Sequence, residues 1–366
     1  MRLIMPEIDD KELNLIKEVL DYGILTNDLK VKEFEDKIAS YIGKKHAIAV
    51  STGSAALHLA VLAAGIGEDD EVIVPAMAFP ATVNALLFVK AKPVLVDINI
   101  NTLNLDPIGI EQKITSKTKA IIPVDLFGLP CDIDKITQIA SKYNLVVIQD
   151  ASYAFGSTYK GQPCGAKSEI AVFSFNERRV ITCGEGGIVA TDNQGIADRI
   201  RLFRNHAMHK EGKDQPAIFM GVGYNYRMSE IHAAVGLAQL DKLNGILEKR
   251  RKLGLEYNRI IEEMPNVTPP REPKDYTQNF GNYVIKLDVT LDTEHIKRKL
   301  GEREIPTTIG TYCIHQQPMY CSIEGIGHNY PVAEYTYKYG ISLPINTKMN
   351  LDTIYYICEM LERFVV

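Results

Sequence analysis

What most constrains the fold of this chain is a repeated alternation. Through its first two-thirds, short β-branched apolar runs alternate with helix-like stretches. Strand candidates are Ala47–Val50, Glu71–Val74, Pro93–Val96, Ala120–Pro123, Leu145–Ile148, Ile170–Phe175 and Gly187–Ala190. Most are nearly continuous apolar runs, the pattern of strands covered on both faces. Helix candidates Ala55–Ala64, Pro80–Val89 and Ile133–Lys142 fall between them. That order predicts an α/β fold with crossover helices linking the strands.

Beyond Asp192 come two more helical patterns, Gln194–Asn205 and Met228–Arg251. In the second, Ile231, Val235, Leu237, Leu240 and Leu243 share roughly one stripe. It is placed to link a large domain to a smaller one, as 366 residues exceed the usual single-domain size. The expected division is a large domain over 1–245 and a smaller α+β domain over 246–366. The smaller part has a proline-rich entry (Pro265 to Pro273), a strand at Tyr283–Leu287, a helix at Thr293–Leu300 and a final helix from Asp352.

A net charge of −5, with Lys and Arg spread along the chain, gives no footprint for nucleic acid or an anionic membrane. The run Lys249-Arg250-Arg251-Lys252 reads as a solvated helix face. No signal peptide and no membrane-spanning run is read. The six cysteines lack CxxC spacing, and Cys313, Cys321 and His315 lack a fourth partner. The expectation is a cytoplasmic protein without disulfides or a metal site.

Four segments carry candidate chemistry. Ser51-Thr52-Gly53-Ser54-Ala55-Ala56-Leu57 follows a strand and opens a helix. Backbone N–H groups there, with a Ser54 hydroxyl and a glycine permitting close approach, suit a phosphate. An ordinary N-cap accounts for the same residues. Asp150 ends a strand at the carboxyl edge, where open α/β sheets hold ligands. A carboxylate there can bond a pyridine nitrogen and keep it protonated, or cap the next segment. Phe79, closing Pro75–Phe79, is placed either to stack on a ring or to fill core. The fourth segment runs Ser174-Phe175-Asn176-Glu177-Arg178-Arg179 and closes at Gly184-Glu185-Gly186-Gly187.

Taken in order, these segments resemble the DegT/DnrJ/StrS-type sugar aminotransferases, which are fold type I pyridoxal-phosphate enzymes. That family's landmarks are Gly-Thr/Ser-x-Ala-Leu for phosphate, Pro-x-x-x-aromatic for stacking, Glu-Asp-Ala-x-Gln for the ring, and Ser-Phe-x-x-x-Lys for a Schiff base. Their counterparts are Gly53–Leu57, Pro75–Phe79, Gln149-Asp150-Ala151-Ser152-Tyr153 and Ser174–Arg179. Tyr22–Thr26, Val124–Gly128, Arg204–His206, Gly223–Ser229, His315–Tyr320 and Ser342–Pro344 extend the likeness over nearly the whole chain.

The resemblance implies a mostly parallel seven-stranded sheet with flanking helices and a pyridoxal phosphate or pyridoxamine phosphate cofactor. Gly53, Ser54 and Ser174 would hold its phosphate, Phe79 would stack on its ring and Asp150 would bind the ring nitrogen. Asn225 would reach the phosphate of the neighbouring subunit's cofactor, in a homodimer with shared sites; His315 would face the sugar, the alternative being a satisfied loop histidine. The implied reaction moves an amino group from an L-amino acid, glutamate, to a nucleotide-linked keto-sugar in polysaccharide or deoxysugar biosynthesis.

Three positions depart from the family pattern. Tyr153 stands where glutamine is usual near the cofactor's phenolic oxygen. Asn27-Asp28 replaces a small residue at the substrate mouth. Arg179 replaces the Schiff-base lysine. That lysine works as a neutral amine that bonds the cofactor and then carries a proton. A guanidinium with a pKa above ~12 is neutral in fewer than roughly one molecule in 10⁵ at pH 7. Its nitrogens only donate, and an anionic neighbour favours its charged form. Arg179 can still hydrogen-bond phenolate or phosphate oxygens. Arg178 fails as a substitute for the same reason, and Lys167 lies before the preceding strand. Three readings follow: an aminotransferase with a Lys-to-Arg replacement, a lysine-independent pyridoxamine-phosphate sugar 3-dehydratase, or a non-catalytic cofactor-binding homologue. In each, this chain transaminates at no useful rate.

Overall fold

The computed structural model describes residues 1–26, 28–210, 215–323 and 326–365. Its central sheet runs, in spatial order, His46–Val50, Gly187–Thr191, Ile170–Ser174, Val146–Asp150, Thr118–Ile121, Glu71–Pro75 and Lys92–Val96. Gly187–Thr191 is antiparallel to both neighbours and every other pairing is parallel. All seven strands read from the sequence are therefore present, in the α/β arrangement expected.

The apolar runs are continuous because both faces are covered. Ile48, Val50, Val172 and Val189 join one core cluster, while Ala47, Ala49, Ala171 and Ile188 join another. Successive strand residues point to opposite faces, so each strand feeds two cores at once. Helices Gly53–Ala63, Pro80–Phe88, Ile133–Lys142 and Gln194–Phe203 supply much of that cover. The parallel strands end at one edge, which gathers Thr52, Phe79, Asp150 and Ser174 there.

The C-terminal stretch has its own antiparallel sheet of Val267–Thr268, Tyr283–Leu287 and Gly340–Leu343. Leu243–Ile261, Thr293–Gly301 and Leu351–Val365 pack around it over a separate core. Part of this stretch returns to the large sheet: Cys313, Ile314, Tyr320, Tyr330 and Ala333 belong to the core cluster that covers one of its faces.

Two expectations need correction. The pattern over Met228–Arg251 is two helices, Glu230–Asp241 and Leu243–Ile261, separated at Lys242. The basic run is only in part a solvated face: Lys249 and Lys252 are exposed, but Arg250 is 2% exposed. Its Nη1 donates to the carbonyls of Phe280 at 2.9 Å and Ile345 at 3.4 Å. Burial lowers its pKa to about 10. Arg251 pairs with Glu272 at 2.8 Å. These arginines tie the long helix to residues 278–281 and Ile345 through carbonyls that burial would otherwise leave unmatched.

Candidate active site

At the carboxyl edge of the sheet lies a cavity of about 570 Å³. Gly53, Ser54, Phe79, Asp150, Tyr153, Ser174 and Arg179 all line it. Residues 308–312 form another wall, with Tyr312–Cys313 pairing antiparallel to Met77–Ala78 just before Phe79. The N-terminal residues Leu3 and Ile4 also reach the cavity.

Asp150 is 4% exposed, and protein groups engage both its carboxylate oxygens. The Thr82 hydroxyl donates to Oδ2 at 2.8 Å and the Ser152 N–H to Oδ1 at 3.2 Å. Its backbone is tied as well: its N–H donates to Pro123 at 2.9 Å and its carbonyl accepts from Asp125 at 3.0 Å. Next to it, fully buried Asp125 accepts from the Gln149 amide at 2.7 Å and the Cys131 N–H at 2.9 Å. Burial pushes the Asp125 carboxyl up to about 6, and the nearby charge of Asp150 acts in the same direction.

The helix Gly53–Ala63 starts at the cavity with Thr52 as its N-cap, whose hydroxyl accepts from the Ala55 N–H at 3.0 Å. Capping and ligand binding are thus divided between neighbours. Thr52 caps, while the N–H groups of Gly53 and Ser54 belong to the first turn, which has no intrahelical acceptors. Glycine is required at 53 by contact: a Cβ there would lie 2.7 Å from Ser174 Cβ and 2.9 Å from its Oγ. This close approach brings the Ser174 hydroxyl beside the helix N-terminus.

Arg179 sits in a loop pinned at its base. Phe175 N–H donates to Gly186, and the Cys183 N–H and Thr182 hydroxyl donate to the Phe175 carbonyl, at 2.9, 2.9 and 3.1 Å. Gly184 closes the turn at φ +81°. The half-buried Arg179 guanidinium lies with Cζ 3.7 Å from the Tyr153 ring centroid. Its Nε is buried without a hydrogen-bond partner, and the guanidinium makes no ion pair among the described residues. Asp150 and Arg179 therefore line one cavity without pairing with each other. Arg178 is exposed.

Among the described lining residues there is no lysine and no histidine. Lys167 is held by Asp134 at 2.5 Å and lines a different surface depression. His315 does not reach the cavity within this chain. It is 5% exposed, with Nε2 3.0 Å from Glu334 and Nδ1 3.4 Å from the Cys313 sulfur. Both ring nitrogens are engaged, so it braces the wall behind Tyr312. Asn225 is exposed on a bridge to Asn205, away from this chain's own cavity. Asn27 lies outside the described residues, and the Asp28 N–H donates to Glu230 at 2.6 Å.

Sequence reasoning passed over Thr82, Ser152 and residues 308–312. Ser152 lay within a quoted motif. Thr82 reaches Asp150 from 68 positions away, and no local pattern announces it.

Chemically, the cavity suits a flat zwitterion. The helix N-terminus and Ser174 face an anionic group, the buried carboxylate accepts a cationic N–H, and the guanidinium offers donors to further acceptors. These features fit the phosphate, ring nitrogen and phenolic oxygen of a vitamin B6 phosphate. They do not fit a covalent link to residue 179.

Comparison with known proteins points the same way. The sequence pattern of the DegT/DnrJ/EryC1/StrS aminotransferase family matches residues 6–362. The GDP-perosamine synthase of Escherichia coli O157:H7 is 36% identical over 362 residues, covering 98% of this chain and 97% of that protein. The putative sugar aminotransferase Spr1654 of Streptococcus pneumoniae, in its PMP-form, superposes with a TM-score of 0.95 at 27% identity, covering 100% and 99% of the two chains. GDP-4-keto-6-deoxymannose-3-dehydratase (ColD), a mutant with bound GDP-perosamine, gives 0.93 at 25% identity, covering 98% and 99%.

Proposed function

The chain belongs to the DegT/DnrJ/EryC1/StrS aminotransferase family, and from that premise we propose a sugar-nucleotide aminotransferase scaffold that holds its cofactor without a covalent link. The cofactor is pyridoxal phosphate or pyridoxamine phosphate, and when bound it supplies an electron sink for amino-group transfer. Asp150 would accept the ring N–H and keep that nitrogen protonated. Gly53, Ser54 and Ser174 would bind the phosphate, Phe79 would stack on the ring, and Arg179 would donate to an oxygen that the usual lysine leaves to other partners. Because a guanidinium neither releases nor takes up a proton near neutral pH, Arg179 cannot move the proton that amino transfer requires.

The substrate pair of the parent reaction is an L-amino acid, glutamate, and a nucleotide-linked keto-sugar, as the likeness to a perosamine synthase supports. The functional unit is a homodimer, with Asn225 reaching the partner's cofactor phosphate. Exposed apolar side chains at Leu13, Tyr22, Leu25, Phe219 and Val222 suit such a buried face. The likeness to a 3-dehydratase favours a second reading, lysine-independent dehydration of a nucleotide 4-keto-6-deoxyhexose. The lack of an imidazole among the described lining residues weighs against it.

One observation carries the first reading: buried Asp150 and an Arg179 guanidinium without an ion pair among the described residues share a cavity at the carboxyl edge of the sheet. Borohydride reduction with pyridoxal phosphate, followed by peptide mapping, tests it. The native chain should bind the cofactor reversibly and show no adduct, while Arg179→Lys should carry one at residue 179 and regain glutamate-dependent transamination. Failure of both proteins to bind either cofactor would overturn the reading. Turnover of the 4-keto-6-deoxyhexose by the native chain with pyridoxamine phosphate would select the second.

A further inference from the structure

We propose that Tyr153 and Arg179 form one unit, in which the Tyr153 ring is a positioning residue that fixes the Arg179 guanidinium as an anion receptor. The proposal rests on the cofactor-binding reading and adds to it what holds the receptor in place.

The guanidinium carbon lies 3.7 Å from the Tyr153 ring centroid, well inside the range of a cation–π contact. A planar cation stacked this way keeps its N–H fork free at the edges, whereas an ion pair would occupy it. The edges are free here: Nε is buried without an acceptor, and no ion pair to the group is found among the described residues. The stack is therefore the contact that sets where the guanidinium points.

Tyr153 is itself well anchored. Asn279, 1% exposed, donates its side-chain amide to the carbonyls of Tyr153 at 2.8 Å and Phe155 at 2.9 Å. The Gly281 N–H in turn bonds Asn279 Oδ1 at 2.7 Å. Phe127 meets the Tyr153 ring edge-on, with centroids 6.5 Å apart. On the other side, the Arg179 N–H donates to Asn176 at 3.0 Å within the pinned loop. Two anchored backbones thus present a ring and a fork face to face.

The chemistry makes the two positions interdependent. A glutamine at 153 offers no π face to a guanidinium, and a lysine at 179 offers no plane to stack. Two of this chain's departures from its family's pattern meet in this one contact. Tyr153 serves the receptor through its ring face, and its hydroxyl has no part in the arrangement.

The test needs Tyr153→Phe, Tyr153→Gln, Arg179→Lys and the double variant Tyr153→Gln/Arg179→Lys, with folding checked by circular dichroism. In the cofactor-free protein, phenylglyoxal modification mapped by mass spectrometry reads Arg179 directly, with exposed Arg178 as internal reference. Relative to Arg178, Arg179 should react about three- to thirty-fold faster in Tyr153→Gln, the span expected for losing a cation–π contact. Tyr153→Phe should stay within about twofold of the native chain, since the ring face remains. Titration with pyridoxal phosphate should show the same loss of affinity when Tyr153→Gln is made in the native background. The loss should be much smaller when it is made in the Arg179→Lys background. Equal behaviour of the Phe and Gln variants, or the same affinity loss in both backgrounds, overturns the proposal. A changed phenylglyoxal ratio without cofactor binding sinks the cofactor reading and leaves the stack standing. Normal binding with an unchanged ratio sinks the stack alone.

Discussion

At the Asp150 end of the cavity, protein groups engage both carboxylate oxygens; at the Arg179 end, the guanidinium touches a ring face and meets no acceptor among the described residues. The first end is organised before any ligand arrives, so a ligand cation there meets an oriented, buried charge. The second holds a cation whose donors await a partner. The difference separates two tasks that one lysine usually combines. In the proposed reading, holding a B6 phosphate needs placed charges, which the cavity has; moving a proton needs a titratable amine, and none stands among its described lining residues.

Substituting the organised end should have the largest effect. Asp150→Asn leaves the Thr82 hydroxyl and Ser152 N–H in place but removes the charge. A buried, hydrogen-bonded charge pair loses about 2–5 kcal/mol when one partner goes. Affinity for pyridoxal phosphate should therefore fall roughly thirty-fold or more by equilibrium dialysis. A change under threefold would mean that Asp150 does not meet the ring, and the contrast between the ends would lose its basis.

Gly53→Ala tests the junction between the helix start and Ser174. The new Cβ would stand 2.7 Å from Ser174 Cβ, and the two segments have to separate. Overpacking of this kind costs about 1–3 kcal/mol, a fall in Tm of roughly 1–4 °C for a chain of this size. Phosphate protection against thermal unfolding should weaken in the same variant. An unchanged Tm would show that the edge is looser than its spacing suggests.

Much of this was legible in the sequence, and the exceptions have physical causes. The seven strands announced themselves because burial on both faces leaves nearly uninterrupted apolar runs. The helices Asp10–Tyr22 and Leu29–Ile42 were passed over, since each buries only one stripe and is charged elsewhere. Their ends still carried signals: Asp9 and Glu12 form a capping box, and Gly23 and Gly43 close the helices in the left-handed region. The break at Lys242 lacked proline or glycine to mark it. Within the site, residues supplied by ordered motifs were readable one at a time. Their partners were not, because Thr82, Asn279 and residues 308–312 arrive through tertiary packing. The burial of Arg250 shows the same limit, as a basic run states its charge and not its surroundings.

A smaller effect concerns pH. Burial raises the Asp125 carboxyl from 3.8 to about 6. Between those values the folded chain holds a proton that the unfolded chain has released. Stability contributed at this position therefore falls as pH rises from about 4 to about 6, and is level above that. Asp125→Asn keeps an acceptor and cannot titrate. The Tm difference, native minus variant, should decline across that interval and then flatten. A difference that instead grows with pH would mean that the carboxylate is stabilised in place, and that the organised end extends further behind Asp150.

The smallest effect should come from Lys167, the one lysine close upstream in sequence that could have stood in for the missing amine. Its pair with Asp134 is partly exposed, and such pairs contribute about 0–1 kcal/mol. Lys167→Ala should leave Tm within about 1–2 °C, the shift expected for a 1 kcal/mol change in a chain of this size. Cofactor affinity and borohydride labelling should match the native chain, because the side chain lines a different depression and is anchored away from Asp150. A labelled Lys167 in the native protein, lost in the variant, would place an amine at the Arg179 end after all. The division between holding the cofactor and moving its proton would then disappear.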